Sequence, residues 1–168
     1  MRNSVFMEPS SERRTDWETP QDLFNLLDEE FHFTLDVCAN NVNRKCERYF
    51  SPEVNGLAQE WTGVCWMNPP YGRNMQWWIQ KAYDSAKAGA TVVCLLPVRS
   101  NNEWWKLVIT AEVRFIRKKI KFVGADHDLM VPSAIVIFRP QETGIMRILE
   151  QSRTSPPDPS LVACDRVS

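Results

Sequence analysis

The sequence lacks the features that mark several large classes of protein. It has no run of about 18 apolar residues and no apolar stretch at its start, so it predicts neither a membrane span nor an exported protein. It has only two histidines, and its five cysteines show no paired CxxC spacing, so we expect no metal site. The odd number of cysteines is typical of reduced thiols, which predicts a cytoplasmic protein.

An excess of positive charge is also missing. The net charge is -1 and the pI is about 6.1, so any contact with nucleic acid must come from a local patch rather than from bulk charge. The length of 168 residues and the hydrophobic fraction of 43% are those of one ordinary folded domain. We expect a flexible arm over residues 1–15, one domain over 16–149, and a proline-rich, disordered tail over 150–168.

Alternating helix and strand patterns define the fold class. Thr19 followed by Pro20 is typical of an N-cap and a first helical position, which predicts a helix over 20–30. The other elements expected from apolar periodicity are a strand at 31–38, a short strand and an irregular stretch within 42–60, a strand at 64–67, a helix at 75–87, a strand at 91–96, a helix at 102–110, and strands at 113–116, 120–123 and 133–138. The order predicts an α/β fold with a mostly parallel sheet and antiparallel strands near the C-terminus.

The sharpest motif is Asn68-Pro69-Pro70-Tyr71, which directly follows an apolar strand. Two prolines fix the backbone where a parallel strand leaves the sheet, and ligands bind at the carboxyl ends of such strands. The Asn68 side-chain oxygen and the Pro69 carbonyl can converge on one NH2 group, and the Tyr71 ring can stack on a flat heterocycle. The motif therefore indicates a planar substrate with an exocyclic amine. The alternative is a proline-terminated strand with a packed tyrosine.

The motif resembles that of the amino-group methyltransferases that use S-adenosylmethionine, marked by NPPY or DPPY, and within them the small phage-type DNA N6-adenine methyltransferases. Further residues that agree in order and spacing are Asp16 to Pro20, Asp36 to Ala39, Asn55 to Leu57 with Trp61, Leu95 to Pro97, Trp104 with Trp105, Ile120 with Phe122, and Pro132 with Ser133. The resemblance covers most of the chain and implies a Rossmann-like methyltransferase fold. This fold must be abbreviated, because the stretch between Asp36 and Asn68 has room for about one crossover unit.

The resemblance also implies roles for the motif residues. Asn68 and Pro69 would accept hydrogen bonds from the adenine N6 amine, Pro70 would hold the Pro69 carbonyl in place, and Tyr71 would stack on the base. Catalysis would then consist of positioning the methyl donor and polarising N6, with no metal and no covalent intermediate.

The cofactor contacts follow in the same way. Asp36 would lie near the methionine end of S-adenosylmethionine, and Thr19 would face its carboxylate, because helix N-termini favour anions. Glu18 or Glu53 would hold the ribose hydroxyls. The residues expected to bind the cofactor are Trp17, Thr19, Pro20, Asp36, Cys38, Ala39 and Asn68.

A basic cluster and several tryptophans are candidates for DNA contact. The cluster consists of Arg114, Arg117, Lys118, Lys119 and Lys121. Lys119 and Lys121 alternate with apolar neighbours and could follow phosphates, or they could simply form a solvated strand face. Trp104 packs in the core or acts as a wedge beside a flipped base. Of Trp77 and Trp78, we expect one to pack inward and the other to be exposed. The residues expected to bind DNA are Arg99, Trp104, Lys119 and Lys121.

The leading hypothesis is a site-specific DNA adenine-N6 methyltransferase of a bacterial or phage-infected cell. It would flip adenine out of double-stranded DNA into a pocket above the NPPY loop, and the mark would protect against restriction or serve regulation. Cytosine N4, RNA adenine and a protein glutamine amide remain alternative acceptors, because the motif suits any planar NH2 group. A silent nucleic-acid-binding module is a third hypothesis, because the loop after Asp36 lacks glycines. The oligomeric state is left open, a monomer included.

Overall fold

Helices lie on both faces of one sheet in the computed structural model, which describes residues 17–118, 120, 122, 132–140 and 146–149. The strands are β1 (Leu35–Asp36), β2 (Val64–Met67), β3 (Thr91–Pro97), β4 (Glu112–Ile116), β5 (Ser133–Phe138) and β6 (Met146–Leu149). The helices are α1 (Gln21–Phe31), α2 (Met75–Lys87) and α3 (Trp105–Val108), and two 3-10 turns cover Pro52–Val54 and Gly56–Ala58. The predicted α/β class is confirmed.

The order of the strands in the sheet is β1-β2-β3-β5-β4-β6. β1, β2 and β3 are parallel neighbours, β5 is antiparallel to both β3 and β4, and β4 is parallel to β6. The sheet is therefore mostly parallel at the start, with antiparallel pairing toward the C-terminus, as predicted. The loops that follow β1, β2 and β3 (residues 37–40, 68–74 and 98–104) lie along one edge, which we call the carboxyl edge. Ligands of parallel sheets bind at such an edge.

The core has two layers, one on each face of the sheet. The buried apolar residues of α1 are Leu23, Phe24 and Leu27, and those of α2 are Met75, Ile79, Ala82 and Ala86. Alternate residues of β3 serve the two layers, since Val93 and Leu95 pack with α1 whereas Val92 and Cys94 pack with α2. A strand that is buried on both faces must be apolar throughout, which is why the runs VCWM and TVVCLL are continuous.

Most predicted elements are confirmed. The strands at 64–67 and 133–138 and the helix at 75–87 have the predicted bounds, and the strands at 91–96 and 113–116 are each one residue longer. α2 ends where Gly89 adopts a φ of 111°, a left-handed conformation that a side chain would disfavour. The short strand predicted within 42–60 is reduced to one bridge between Tyr49 and Asp36. The predicted arm and tail lie outside the described residues.

The predicted strand at 31–38 is wrong in its first half. α1 continues through Phe31 and ends at His32, whose φ of 54° is left-handed. Asp28 holds this end, because its carbonyl accepts the His32 amide at 2.9 Å and its carboxylate accepts the Phe33 amide at 2.7 Å. Only Leu35 and Asp36 remain for the strand. The predicted N-cap at Thr19 is also wrong, since Pro20 occupies that position and no side chain caps the helix.

Two further predicted elements differ near the C-terminal part of the fold. The helix expected at 102–110 shrinks to α3, because amides at Asn102, Trp105 and Thr110 bond to carbonyls three residues back, as in separate turns. For the strand expected at 120–123, Ile120 and Phe122 are buried but lie in no strand, and the other two positions fall outside the described residues. In the part of the chain that the structure describes, no helix is both long and apolar enough to cross a bilayer.

The buried Gly56 predicts a steric test of the fold. A Cβ at this position would lie 2.2 Å from the Val37 carbonyl oxygen, so the turn and the strand end cannot both stay in place. We expect Gly56→Ala to lower the free energy of unfolding by about 1–3 kcal/mol in urea titrations. Gly72→Ala is the matched control, because a Cβ at Gly72 meets nothing within 4 Å. Equal stability of the two variants would contradict this packing.

Candidate active site

A cavity of about 220 Å³ opens at the carboxyl edge, beside the ends of β1 and β2. Its wall includes six of the seven residues that the sequence predicts for the cofactor, namely Trp17, Thr19, Asp36, Cys38, Ala39 and Asn68. The seventh, Pro20, lies at the start of α1 and is not part of the wall. Asp36 ends β1 and Asn68 directly follows β2. Because these strands are parallel neighbours, residues far apart in the sequence meet in one cavity.

The Asn68 amide is oriented by the segment that precedes α1. Its Nδ2 donates to the Trp17 carbonyl at 2.5 Å and to the Thr19 hydroxyl at 3.0 Å. A carbonyl can only accept a hydrogen bond, so this contact fixes which end of the amide is nitrogen. The Asn68 Oδ1 is buried and has no hydrogen-bond partner among the described residues. A buried acceptor without a donor costs about 1–3 kcal/mol, so the site is built to receive a donor.

The Asp36 carboxylate is a buried acid in the cavity wall, only 3% exposed. Its oxygens accept the backbone amides of Lys45 at 3.0 Å and Cys38 at 3.3 Å. Burial raises the pKa of this carboxyl from an ordinary 3.8 to about 6, because the loss of hydration outweighs those two amide bonds and the nearby charge of Lys45. A cationic ligand group beside Asp36 would relieve this penalty.

Lys45 joins two residues of the cavity wall, Glu18 and Asp36, to the first residue of α1, Gln21. Its ammonium donates to Glu18 at 3.1 Å and to Gln21 at 3.1 Å, and its side chain is only 6% exposed. Its backbone amide holds Asp36. Glu18 lies on the cavity wall, whereas Glu53 is exposed and does not. Of the two acids considered for the ribose, the structure therefore brings only Glu18 to the cavity.

Flat apolar side chains complete the cavity. Phe50, Trp66 and Trp78 line it, and Trp78 stacks on Trp61 with ring centroids 6.1 Å apart. Trp61 is fixed in turn by a hydrogen bond from its Nε1 to the Gly56 carbonyl at 2.8 Å. A planar ring can therefore lie against apolar surface while its polar edge faces the acids.

The remaining motif residues occupy different environments. Pro70 is exposed and lies on the cavity wall, whereas Pro69 is buried and does not. The Tyr71 ring contacts Phe122 edge to face, with centroids 6.2 Å apart, and its hydroxyl is buried without a partner among the described residues. Burial raises the pKa of Tyr71, so the phenol stays neutral. A base that stacks on Tyr71 must share this space with Phe122.

Comparison with known proteins decides the family. The model of the DNA N-6-adenine-methyltransferase (Dam) family matches residues 8–158 of this chain. A DNA N-6-adenine-methyltransferase of Haemophilus phage HP1 is 31% identical over 149 residues, which cover 80% of this chain and 86% of that relative. This chain belongs to the DNA N-6-adenine-methyltransferase family. A DNA N-6-adenine-methyltransferase of Escherichia phage T1 is 29% identical over 113 residues, or 66% of this chain and 45% of the relative.

Family membership confirms the activity given by the leading hypothesis, which is methylation of adenine N6 in DNA. The chain is a DNA adenine-N6 methyltransferase, and the family implies S-adenosylmethionine as the methyl donor. The alternatives of another acceptor or a silent module are not supported. Among the described residues of the methyltransferase, no group of three or more histidine, cysteine or acidic side chains could hold a metal ion.

The residues predicted to bind DNA are dispersed in the methyltransferase. Arg99 is exposed on the carboxyl edge, but Trp104 is 8% exposed and packs in the core against Trp105, which is the packing alternative. Lys119 and Lys121 lie outside the described residues. Arg114 does not belong to a free basic cluster, because it forms ion pairs with Glu30 and Glu112. As expected for the tryptophan pair, Trp78 packs inward and Trp77 is exposed.

Sequence reasoning missed Lys45, Phe50 and Trp78 in the methyltransferase cavity. Lys45 and Phe50 lie in a stretch without regular periodicity, so nothing in the sequence shows that they return to β1. Backbone bonds make this return, since the Asp36 amide donates to Arg48 and the Phe50 amide donates to Asp36. The one available signal was the pair of adjacent tryptophans at the start of α2, one of which had to face inward.

The raised pKa of Asp36 predicts an unusual pH dependence of stability. Folded Asp36 holds its proton up to about pH 6, whereas the unfolded chain releases it near 3.8, so stability falls as the pH rises through this window. The Asp36→Asn variant has no carboxyl group at this position, so this proton uptake is absent from it. The free energy of unfolding of the variant minus that of the wild type should therefore rise by about 3 kcal/mol between roughly pH 4 and pH 7 in urea titrations.

Glu112→Gln serves as a comparison, because the pKa of Glu112 is shifted in the opposite direction from the pKa of Asp36. Burial favours a raised pKa for Glu112, but hydrogen bonds from Arg139 and Arg114 outweigh it and hold the pKa below its usual range. Glu112 therefore adds stability above the pKa of the unfolded chain, and this contribution is lost as the pH falls. A pH-independent difference between Asp36→Asn and wild type would contradict the buried, destabilised carboxylate.

Proposed function

We propose that the cavity at the carboxyl edge binds S-adenosylmethionine and that Asn68 receives the N6 amine of a flipped adenine. The observation that carries the proposal is the buried Asn68 Oδ1, which is unpaired within the described residues while the Nδ2 of the same amide is fully used. An acceptor oriented this way suits a hydrogen-bond donor such as the NH2 group of adenine. The sheet would then be the abbreviated Rossmann-like methyltransferase fold.

The donor set of the cavity fits the cofactor. The buried Asp36 suits the ammonium of the methionine part, and Glu18, oriented by Lys45, suits the ribose hydroxyls. Phe50, Trp66 and Trp78 offer apolar surface to the adenine ring. Thr19 is buried and bonded to Asn68, so its hydroxyl positions Asn68, and we propose this role for it in addition to the carboxylate contact expected from the sequence. When bound, S-adenosylmethionine supplies an electrophilic methyl group on its sulfonium.

The chain's own residues would perform the rest by positioning and polarisation. Asn68 Oδ1 and the Pro69 carbonyl accept the two N6 hydrogens, which turns the nitrogen lone pair out of conjugation and toward the methyl group. Pro69 and Pro70 keep these acceptors fixed, so little reorganisation is needed during the reaction. The base must leave the duplex to reach this cavity, as in other enzymes that act on bases. Tyr71 covers one face of the adenine once Phe122 has moved aside.

The proposal predicts that the two polar ends of the Asn68 amide have separable roles. Asn68→Ala removes both the Oδ1 acceptor and the Nδ2 donor, and the loss of the acceptor should lower kcat by about 100-fold or more. The assay is transfer of labelled methyl groups to unmethylated duplex DNA, followed by nuclease digestion and identification of N6-methyladenine.

Thr19 variants provide the matched control for Asn68. Thr19→Val removes only the hydroxyl that receives Nδ2, so kcat should fall by about tenfold, and Thr19→Ser should restore it. Activity of Asn68→Ala equal to that of the wild type would refute the acceptor role. Loss of activity in Thr19→Ser as well would show that shape, rather than the hydroxyl, orients the amide.

The Lys45 contacts predict a defect confined to cofactor binding. Lys45→Met keeps the length of the side chain and the backbone bond to Asp36 but removes the ammonium that orients Glu18. We expect the Kd for S-adenosylmethionine, measured by calorimetry, to rise by about tenfold, with a smaller change in kcat at saturation. Lys87→Met, at the far end of α2, should leave the Kd unchanged. A fall in kcat without a change in Kd would contradict this role.

A further inference from the structure

One tryptophan of the enzyme differs from the other six in its exposure to solvent. Six of the seven tryptophans are buried or half-buried, whereas Trp77 is 59% exposed. It lies in the first turn of α2, directly after the NPPY loop. The adjacent Trp78 lines the cofactor cavity, so the exposed indole lies one residue away from the wall of the proposed site. An exposed indole beside the candidate cavity offers a flat surface on which a base can stack.

The helix geometry directs the Trp77 side chain toward the carboxyl edge. Met75, Ile79 and Ala82 face the core, and at about 100° per residue Trp77 lies on the opposite side of α2. Side chains of a helix lean toward its N-terminus. The N-terminus of α2 is the end that meets the NPPY loop, so the indole leans toward the carboxyl edge of the sheet.

Cations without an ion-pair partner accompany this tryptophan. Arg73 follows the NPPY loop and Arg99 follows β3, and neither forms a salt bridge within the described residues. By contrast, Lys45 and Arg114 are both paired with acids. Because β2 and β3 are parallel neighbours, Arg73 and Arg99 lie on the same edge of the sheet. Among the described residues, Arg73 and Arg99 are therefore two arginines of the carboxyl edge without an ion-pair partner, in a chain whose net charge is -1.

We propose that Arg73 and Trp77 form a DNA contact of the methyltransferase, next to the flipped adenine. Arg73 binds a backbone phosphate, and the Trp77 ring stacks on a base or sugar exposed when the duplex opens. Arg99 binds a phosphate from the other side of the site. The inference rests on the proposed function, since it uses the adenine position given by Asn68. It assigns a base contact beside the flipped adenine to Trp77 rather than to Trp104, which the sequence offered as a wedge and whose side chain is occupied in the core.

Salt dependence of DNA binding separates the two side chains. Arg73→Gln should weaken binding of the full chain to unmethylated duplex DNA and lower the slope of log K against log salt by about 0.9, because one phosphate contact is lost. Trp77→Ala should raise the Kd by about tenfold and leave this slope unchanged, because stacking releases no counterions. Matched controls are Lys87→Gln at the opposite end of α2 and Ile109→Ala, which removes another exposed apolar side chain.

A charge placed at Gly72 tests the same surface without removing any contact. A Cβ there meets nothing within 4 Å, so Gly72→Glu should fold normally and repel the phosphates. We expect weaker DNA binding and a raised KM for DNA, with unchanged binding of S-adenosylmethionine. Ala88→Glu, exposed beyond the C-terminal end of α2, adds the same charge away from the proposed contact and should have no effect.

The outcomes distinguish this inference from the proposed function. If Asn68→Ala loses methyl transfer while the variants at Arg73, Gly72 and Trp77 bind DNA like the wild type, the function stands and the DNA contact is overturned. If Arg73→Gln lowers the salt slope while Asn68→Ala remains fully active, the contact stands and the role of Asn68 falls. Equal effects of the Gly72 and Ala88 variants would show only general charge repulsion and would also overturn the contact.

Discussion

The hydrogen bond from Asn68 Nδ2 to the Trp17 carbonyl is the constraint on which the active site depends. It ties the segment before α1 to the end of β2, two parts of the chain that are 51 residues apart. It closes the cavity on one side, since Trp17 and Asn68 both line it. It also leaves the amide oxygen as the only unused polar atom of that side chain. One contact therefore helps to shape the cavity and leaves one side-chain acceptor of Asn68 unpaired among the described residues.

Electrostatic cost is concentrated where ligands are expected to bind. Asp36 is held ionisable in a buried position, and two backbone amides and the nearby charge of Lys45 oppose the penalty of its burial without outweighing it. Away from the cavity, the charge of Arg114 is fully compensated, because Arg114 forms ion pairs with Glu30 and Glu112. Uncompensated polar groups in a folded enzyme are destabilising unless a ligand completes them. The free protein is therefore less stable than the same chain with its cavity filled.

The sequence predicted the parts of the molecule that depend on local order. Neighbouring residues determine the continuous apolar strands, the periodic face of α2 and the rigid NPPY motif. The positions of Asp36 and Asn68 at the ends of strands were predicted in the same way. Contacts made over long distances could not be predicted in this way. Lys45 reaches the cavity from an irregular stretch, and the paired state of Arg114 depends on Glu30 in another layer. The end of α1 could not be predicted either. The Asp28 carboxylate accepts the Phe33 amide and so holds the helix end within a stretch whose sequence pattern is typical of a strand.

The position of β5 has a consequence for how the chain reaches its folded state. β3 lies in the middle of the sheet. One of its two neighbours, β5, begins about 40 residues further along the sequence and is therefore synthesised later. During synthesis one edge of β3 therefore stays unpaired after β1, β2 and the NPPY motif have already emerged. Strand edges that stay open in this way favour association between chains. The ribosome must release most of the protein before the sheet that carries the NPPY motif is complete.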